Sequence, residues 1–204
     1  MEFIRPQKVM NIINNNPKIQ KYGQEAVSFT DGAKKIIASV KNAKSLEDVK
    51  NILSHAAEPV DGLQNMFKSE NNLFQITNFA GVDSIVPSQM YLNKSGIKSC
   101  PKVLCHIDIN GRDGVLVYDL GTKEKLIPLT KTSASDRAKS EFYEDIKKMI
   151  DTKYVDAEEL MKSDYWLVTK DGSRILNLKT NLGGYITNEK QEPLKKQIYD
   201  ILFN

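Results

Sequence analysis

The chain of 204 residues is long enough to bury one substantial hydrophobic core, and its 40% hydrophobic and 27% charged residues exclude a wholly disordered protein. Its net charge of +3 is too small to demand a polyanionic partner. Arginine supplies only 4 of the 29 basic residues. Because arginine is the side chain that best reads guanine edges and grips phosphates, the composition counts against specific recognition of nucleic acid.

The two cysteines, Cys100 and Cys105, are fewer than a small secreted protein stapled by disulfides would carry. The first residues, from Met1 to Pro6, lack the apolar core of a signal peptide, and no apolar run approaches the ~18–20 residues that cross a bilayer. We therefore expect a soluble, cytoplasmic protein without a membrane partner. Export by a signal-less route is compatible with the same features.

The first third of the chain has the apolar spacing of helices. One helix is predicted over 31–42, and a second over 45–57, where Ser45 can cap an acidic first turn. A short helical piece is expected around Leu63 to Phe67. The apolar faces of the two longer helices comprise Ala33, Ile36, Ile37 and Val40, then Leu46, Val49, Ile52, Leu53 and Ala56.

The middle of the chain changes to the period of two that is typical of strands. A strand is predicted at Phe74 and Ile76, whereas 82–92 is ambiguous because Pro87 interrupts it. Two glycine turns separate three alternating segments, so residues 102–129 are predicted to form a three-stranded antiparallel meander with 115–120 in the middle.

The last third alternates between helical and extended patterns. Helices are predicted over 135–151 and 191–203, with a short one near Leu160 between them. A hairpin is expected at 165–178, around the Asp171-Gly172 turn, and a short strand at 185–187.

Hairpins, rather than strand–helix–strand units, favour an α+β fold in which an antiparallel sheet packs with segregated helices. We predict a single domain over 1–204, with a helical part at about 1–70 and a mixed α/β part at about 71–204. The residues expected to be among the least exposed are Ile37, Leu53, Phe142 and Ile198.

The most suggestive chemical feature is the Cys100-x₄-Cys105-His106 segment. Its spacing differs from that of zinc sites, and the only other histidine, His55, is distant in sequence. On a strand, Cys105 and His106 would point to opposite faces, with Cys105 in an apolar row with Val103, Ile107 and Ile109. This pattern favours a structural, free thiol, and no metal or cofactor is expected.

The second face of the same strand carries His106 and Asp108, and Asp119 of the next strand could approach them. An imidazole close to carboxylates can act as an acid or a base. Leu104, Val115 and Val117 are expected on this face as well, which favours a buried histidine. The segment from Asp108 to Asp119 lacks the ligand pattern of a calcium loop and is typical of a hairpin turn.

The chain lacks the short motifs of common nucleotide-binding proteins, zinc proteases and serine hydrolases. We therefore expect a non-catalytic protein-interaction or regulatory module that binds another protein or itself as a homo-oligomer. The alternative is a small enzyme with an acid/base or thiol site around Cys105, His106 and Asp108. Binding of nucleic acid through lysine-rich faces is the third hypothesis, disfavoured because the lysine pairs adjoin acidic residues.

Overall fold

The computed structural model describes residues 19–21, 29–130, 132–178 and 182–204, and it confirms an α+β fold. The helices in these residues are α1 (Asp31–Lys41), α2 (Leu46–Ala56), α3 (Phe79–Lys94), α4 (Asp136–Asp151), α5 (Ala157–Leu160) and α6 (Asn188–Phe203), with a 3-10 turn at Ser163–Tyr165. The strands are β1 (Ile19–Lys21), β2 (Glu58–Pro59), β3 (Met66–Ser69), β4 (Asn72–Asn78), β5 (Lys102–Asp108), β6 (Asp113–Asp119), β7 (Leu126–Pro128), β8 (Trp166–Thr169) and β9 (Ile175–Asn177).

Side-chain caps start the helices that the sequence predicts most clearly. Thr30 accepts a hydrogen bond from the Ala33 backbone at the start of α1, and Ser45 forms a reciprocal capping box with Asp48 at the start of α2. Ser135 accepts a hydrogen bond from the Ala138 backbone at the start of α4. The helices predicted over 31–42, 45–57, 135–151 and 191–203 are confirmed, although α6 begins earlier, at Asn188.

The strands form two antiparallel sheets, with the orders β1-β5-β6-β4-β3-β2 and β7-β8-β9. The predicted hairpin at 165–178 is confirmed as β8 and β9. The three-stranded meander over 102–129 is wrong, because β7 leaves β6 and pairs with β8. The second neighbour of β6 is β4, and the two strands pair from Asn72↔Asp119 to Asn78↔Asp113. This pairing provides partners for the backbone groups along the full length of β6.

The two sheets face each other, and helices cover their outer faces. One apolar cluster joins α1 and α2 to the larger sheet through residues such as Leu53, Phe74 and Val117. A second fills the space between the sheets, and a third packs α4 and α6 on the smaller sheet around Trp166. Ile37, Leu53, Phe142 and Ile198 are all buried, as predicted.

Three shorter segments differ from the sequence-based expectations or resolve them. The helical piece expected at Leu63–Phe67 is wrong, since Met66 to Ser69 form β3 after a turn in which Asn65 has φ 65°. The ambiguous 82–92 segment is helical despite Pro87. The strand expected at 185–187 is not formed, because the Ile186 backbone donates to the Lys153 carbonyl and no strand among the described residues lies beside this segment.

Within the described ranges, no helix is long and apolar enough to cross a membrane. That the whole chain folds as one domain stays a prediction.

Candidate functional site

Strand β5 carries the residues that the sequence marks for chemistry, and it separates the thiol from the imidazole. Cys105 is fully buried on the face covered by α1 and α2, opposite Val117. His106 is opposite Leu116, which packs in the cluster between the two sheets. The two side chains therefore lie on opposite faces of the sheet, as the alternation predicts. Both cysteines are free thiols, and both are buried.

A β-bulge at Leu104 changes the predicted rows of β5. Val103 pairs with Tyr118 and Cys105 pairs with Val117, so Leu104 is an extra residue without a cross-strand partner. Val103 consequently packs between the sheets, beside Tyr118, and not in the row of Cys105. The prediction that Val103 shares a face with Cys105 is wrong for this reason.

The turn after β5 changes the face assignment of β6. Ile109 donates a backbone hydrogen bond to Asp113 over 3.0 Å, so the loop has three residues, with Gly111 at φ 76°. This register places Val115 opposite Ile107 and Val117 opposite Cys105. The prediction that Val115 and Val117 share the face of His106 is wrong, because a three-residue loop reverses the parity of a two-residue one.

Asp108 and Asp119, the two carboxylates that the sequence suggested for a site with His106, each hold a turn. Asp108 accepts a hydrogen bond from the Gly111 backbone over 2.7 Å, and Asp119 accepts one from the Gly121 backbone over 2.8 Å. Asp119 is opposite Lys102, at the far end of the hairpin, and five steps along β6 from the partner of Asp108 separate the two carboxylates by about 17 Å. Across the described part of the chain, no group of three or more His, Cys, Asp or Glu side chains could hold a metal ion.

The His106 ring lies directly against the neighbouring strand at Gly114. A Cβ atom added to Gly114 would lie 2.1 Å from Nε2 of His106 and 2.7 Å from the Ile107 carbonyl oxygen. The His106 imidazole can therefore occupy this position only because residue 114 has no side chain. His106 is enclosed in the sheet interface and contributes to packing there.

A cleft that the sequence did not single out opens at the β2 edge of the larger sheet. It has a volume of about 560 Å³ and lies between the end of α2, the β2–β3 strands and the segment before β7. We call it the Lys68 cleft. Its polar lining includes His55, Glu58, Lys68, Glu70, Lys123 and Lys125.

Lys68 is a buried cation in this cleft, at 9% exposure. Its ammonium donates hydrogen bonds to the backbone carbonyl oxygens of Glu70 and Lys123, the latter over 2.9 Å. Burial lowers the pKa of the Lys68 ammonium, and the carboxylates of Glu58, Glu124 and Glu70 oppose that shift by favouring the charged form. A lysine directly after the segment expected to be helical carried no sequence signal of this environment.

A partly exposed group of aromatic side chains lies on α4 and α6. We define the aromatic surface as Tyr143, Tyr199 and Phe203. The rings of Tyr199 and Phe203 stack at 4.6 Å between centroids, and Tyr143 meets Tyr199 edge-on at 5.5 Å. The ammonium of Lys147 lies 5.1 Å from the centre of the Tyr143 ring. Tyr199 is 44% exposed, whereas Tyr143 and Phe203 are half-buried and pack against the core of α4, α6 and the smaller sheet.

Comparisons of the chain with protein-family models, curated proteins and solved structures found no match in any of the three. The functional assignment therefore rests on the side chains and surfaces described above.

Proposed function

We propose that the protein is a non-catalytic protein-interaction module and that the aromatic surface on α4 and α6 is its binding face. The observation that carries this proposal is the contiguous group of Tyr143, Tyr199 and Phe203 at the surface. Aromatic side chains are enriched in the centres of protein interfaces, where they bury a large area at a small cost in side-chain entropy. Scattered single apolar residues would not support such an assignment.

The charges around the aromatic surface support a protein partner. Lys147 is paired with Glu144, and Lys196 is paired with Asp200, each within its own helix. Lys195 contacts Asp151 and Glu192, which joins α6 to α4. Because these cations are neutralised internally, the rim offers no field of one sign for a nucleic-acid backbone. An aromatic centre with a mixed-charge rim is the usual composition of a protein interface.

The burial of Cys105 and its separation from His106 support a non-catalytic role over a thiol enzyme. A thiol in apolar surroundings has little thiolate, which is the nucleophilic form. The two free thiols also suit a reducing compartment, so we propose a cytoplasmic location. The partner is another protein or a second copy of this chain.

The proposal is tested by removing aromatic area from one surface and comparable area from another. In the Tyr199→Ala/Phe203→Ala variant we expect loss of the complex recovered with the tagged chain from cells of its source organism. The control is Met90→Ala/Tyr91→Ala, which removes two exposed side chains from α3 and should retain that complex.

Sedimentation equilibrium over a range of concentrations separates self-association from binding of another protein. If the partner is a second copy of this chain, the wild-type chain should form a dimer. The Tyr199→Ala/Phe203→Ala variant should lose that dimer, and the Met90→Ala/Tyr91→Ala variant should keep it. If the wild-type chain is monomeric and both variants recover the same set of proteins, the aromatic surface is not the binding face.

A further inference from the structure

The Lys68 cleft differs from the aromatic surface in its chemistry, because three lysines line a concave site. Lys68 forms the buried part of the cleft, and Lys123 and Lys125 lie at its opening. The backbone of Lys123 accepts a hydrogen bond from Lys68, which holds the segment of the two outer lysines against the buried one. A volume of about 560 Å³ falls within the range of small-molecule sites.

The buried ammonium has hydrogen-bonding capacity left. Lysine carries three N–H donors, and the carbonyl oxygens of Glu70 and Lys123 accept from two of them. Burial disfavours the charged form of Lys68, so a further negative oxygen close to it would be stabilising. Charge-assisted hydrogen bonds of this kind are among the stronger polar contacts in proteins.

Among the described residues, the outer lysines have only long contacts with carboxylates. Lys123 lies 3.8 Å from Glu70, and Lys125 lies 3.8 Å from Asp61. Exposed ion pairs at this distance contribute little stability, so both ammonium groups can turn to a ligand at small cost. Glu58 and Glu70 also line the cleft, and their charges would repel a ligand with several negative groups.

We infer that the Lys68 cleft binds a small anion through a single phosphate or carboxylate group, held by Lys68, Lys123 and Lys125. Glu58 and Glu70 in the lining, together with Glu124 close to Lys68, restrict the ligand to low total charge and exclude polyanions. This site is independent of the proposed protein-binding face, which lies on α4 and α6.

The test is a titration of the ¹⁵N-labelled full chain with inorganic phosphate and, separately, with acetate, at constant ionic strength maintained with sodium chloride. We expect a saturable shift of the backbone amide signals of Ser69, Glu70 and Lys123 with at least one of the two anions. Saturation by phosphate or by acetate alone identifies the group that the site prefers.

Two variants with the same change of net charge separate a site from general electrostatics. Lys123→Ala/Lys125→Ala removes side chains that are 75% and 52% exposed, and Lys148→Ala/Lys196→Ala removes side chains that are 57% and 76% exposed. The first pair should weaken binding by about tenfold or more, since each ammonium close to the anion contributes a direct attraction. The second pair should leave the affinity unchanged.

Lys68→Met should abolish saturation, but the decisive comparison is between the two exposed pairs, whose folding does not depend on a buried cation. If neither anion gives a saturable shift in the wild-type chain, or if both double variants weaken binding equally, then Lys68 serves only to hold the Glu70 and Lys123 carbonyls and the inference is overturned.

Discussion

Replacing Asp145 tests how the segment between α3 and β5 is held in the fold. Asp145 lies in α4, is buried, and accepts hydrogen bonds from the backbone N–H groups of Lys98 and Ser99, both over 2.7 Å. Ser99 in turn accepts a bond from the Asn177 backbone in β9, and Lys98 accepts one from Arg174. One carboxylate thus connects a helix to a segment that bonds to the smaller sheet.

In Asp145→Ala, two backbone donors lose their acceptor in a site with little access to water. An unsatisfied buried donor costs about 1–3 kcal/mol, so the free energy of unfolding should fall by roughly 2–5 kcal/mol. Asp145→Asn keeps an acceptor oxygen but loses the charge, and it should cost about 1–2 kcal/mol, because a neutral hydrogen bond is weaker than a charge-assisted one. The contact of Lys148 with Asp145, at 3.6 Å, adds little to either value.

The assay is urea unfolding followed by the fluorescence of Trp166, the single tryptophan, which is buried against Phe142. Glu144→Ala is the matched control on the same helix, since it removes an exposed carboxylate that pairs with Lys147. If the free energies of unfolding of Asp145→Ala and Glu144→Ala differ by less than about 0.5 kcal/mol, the usual range of surface substitutions, Asp145 does not hold this segment in the fold.

Three further predictions concern the larger sheet. Cys105 should react slowly with a thiol reagent in the native chain and rapidly in urea, and Cys105→Ser should cost on the order of 1–3 kcal/mol while leaving partner binding intact. Rapid native labelling together with loss of binding in a folded serine variant would restore the thiol-enzyme hypothesis. Gly114→Ala should cost about 1–3 kcal/mol, because its Cβ meets both the His106 ring and the fixed Ile107 carbonyl. His106→Ala in the same chain should recover only part of that loss, and full recovery would mean that the backbone contact is unimportant. Tyr118 is buried, and burial raises the pKa of its hydroxyl, so above about pH 10 the unfolded chain releases a proton that the folded chain retains. The free energy of unfolding of the wild-type chain, measured relative to that of Tyr118→Phe, should therefore fall by up to about 1.4 kcal/mol per pH unit above that point. A difference between the two chains in urea unfolding that stays constant from pH 9 to 11 would contradict the assignment.

The parts of the fold that were predictable from sequence depend on contacts close along the chain. The helices α1, α2 and α4 have both a cap and an apolar stripe within one segment, and the β5–β6 and β8–β9 hairpins have local turns. The predicted meander was wrong because β6 pairs with β4, about forty residues earlier in the chain, and not with the strand after the adjacent turn. No local pattern in the sequence shows whether β4 or β7 pairs with β6.

The predicted faces of β5 and β6 around Cys105 and His106 were partly wrong, for equally specific reasons. One extra residue at Leu104 and one extra loop residue at 110–112 each change the parity of a strand, and a period-two pattern is insensitive to both. The surfaces that now carry functional proposals depend on residues that are distant in sequence. Tyr143 meets Tyr199, and Lys68 meets Lys123, only because the helices and sheets pack as they do.

Binding of protein through the aromatic surface is tested most directly by site-specific photo-crosslinking. A photoreactive amino acid at position 199 is compared with one at position 91 in the full chain, within cells of the source organism. Tyr199 and Tyr91 are 44% and 41% exposed, so the two probes have equal access to solvent. We predict a discrete protein adduct, or a dimer of this chain, at position 199 and none at position 91. Adducts of equal yield at both positions, or no adduct at position 199, would contradict the claim.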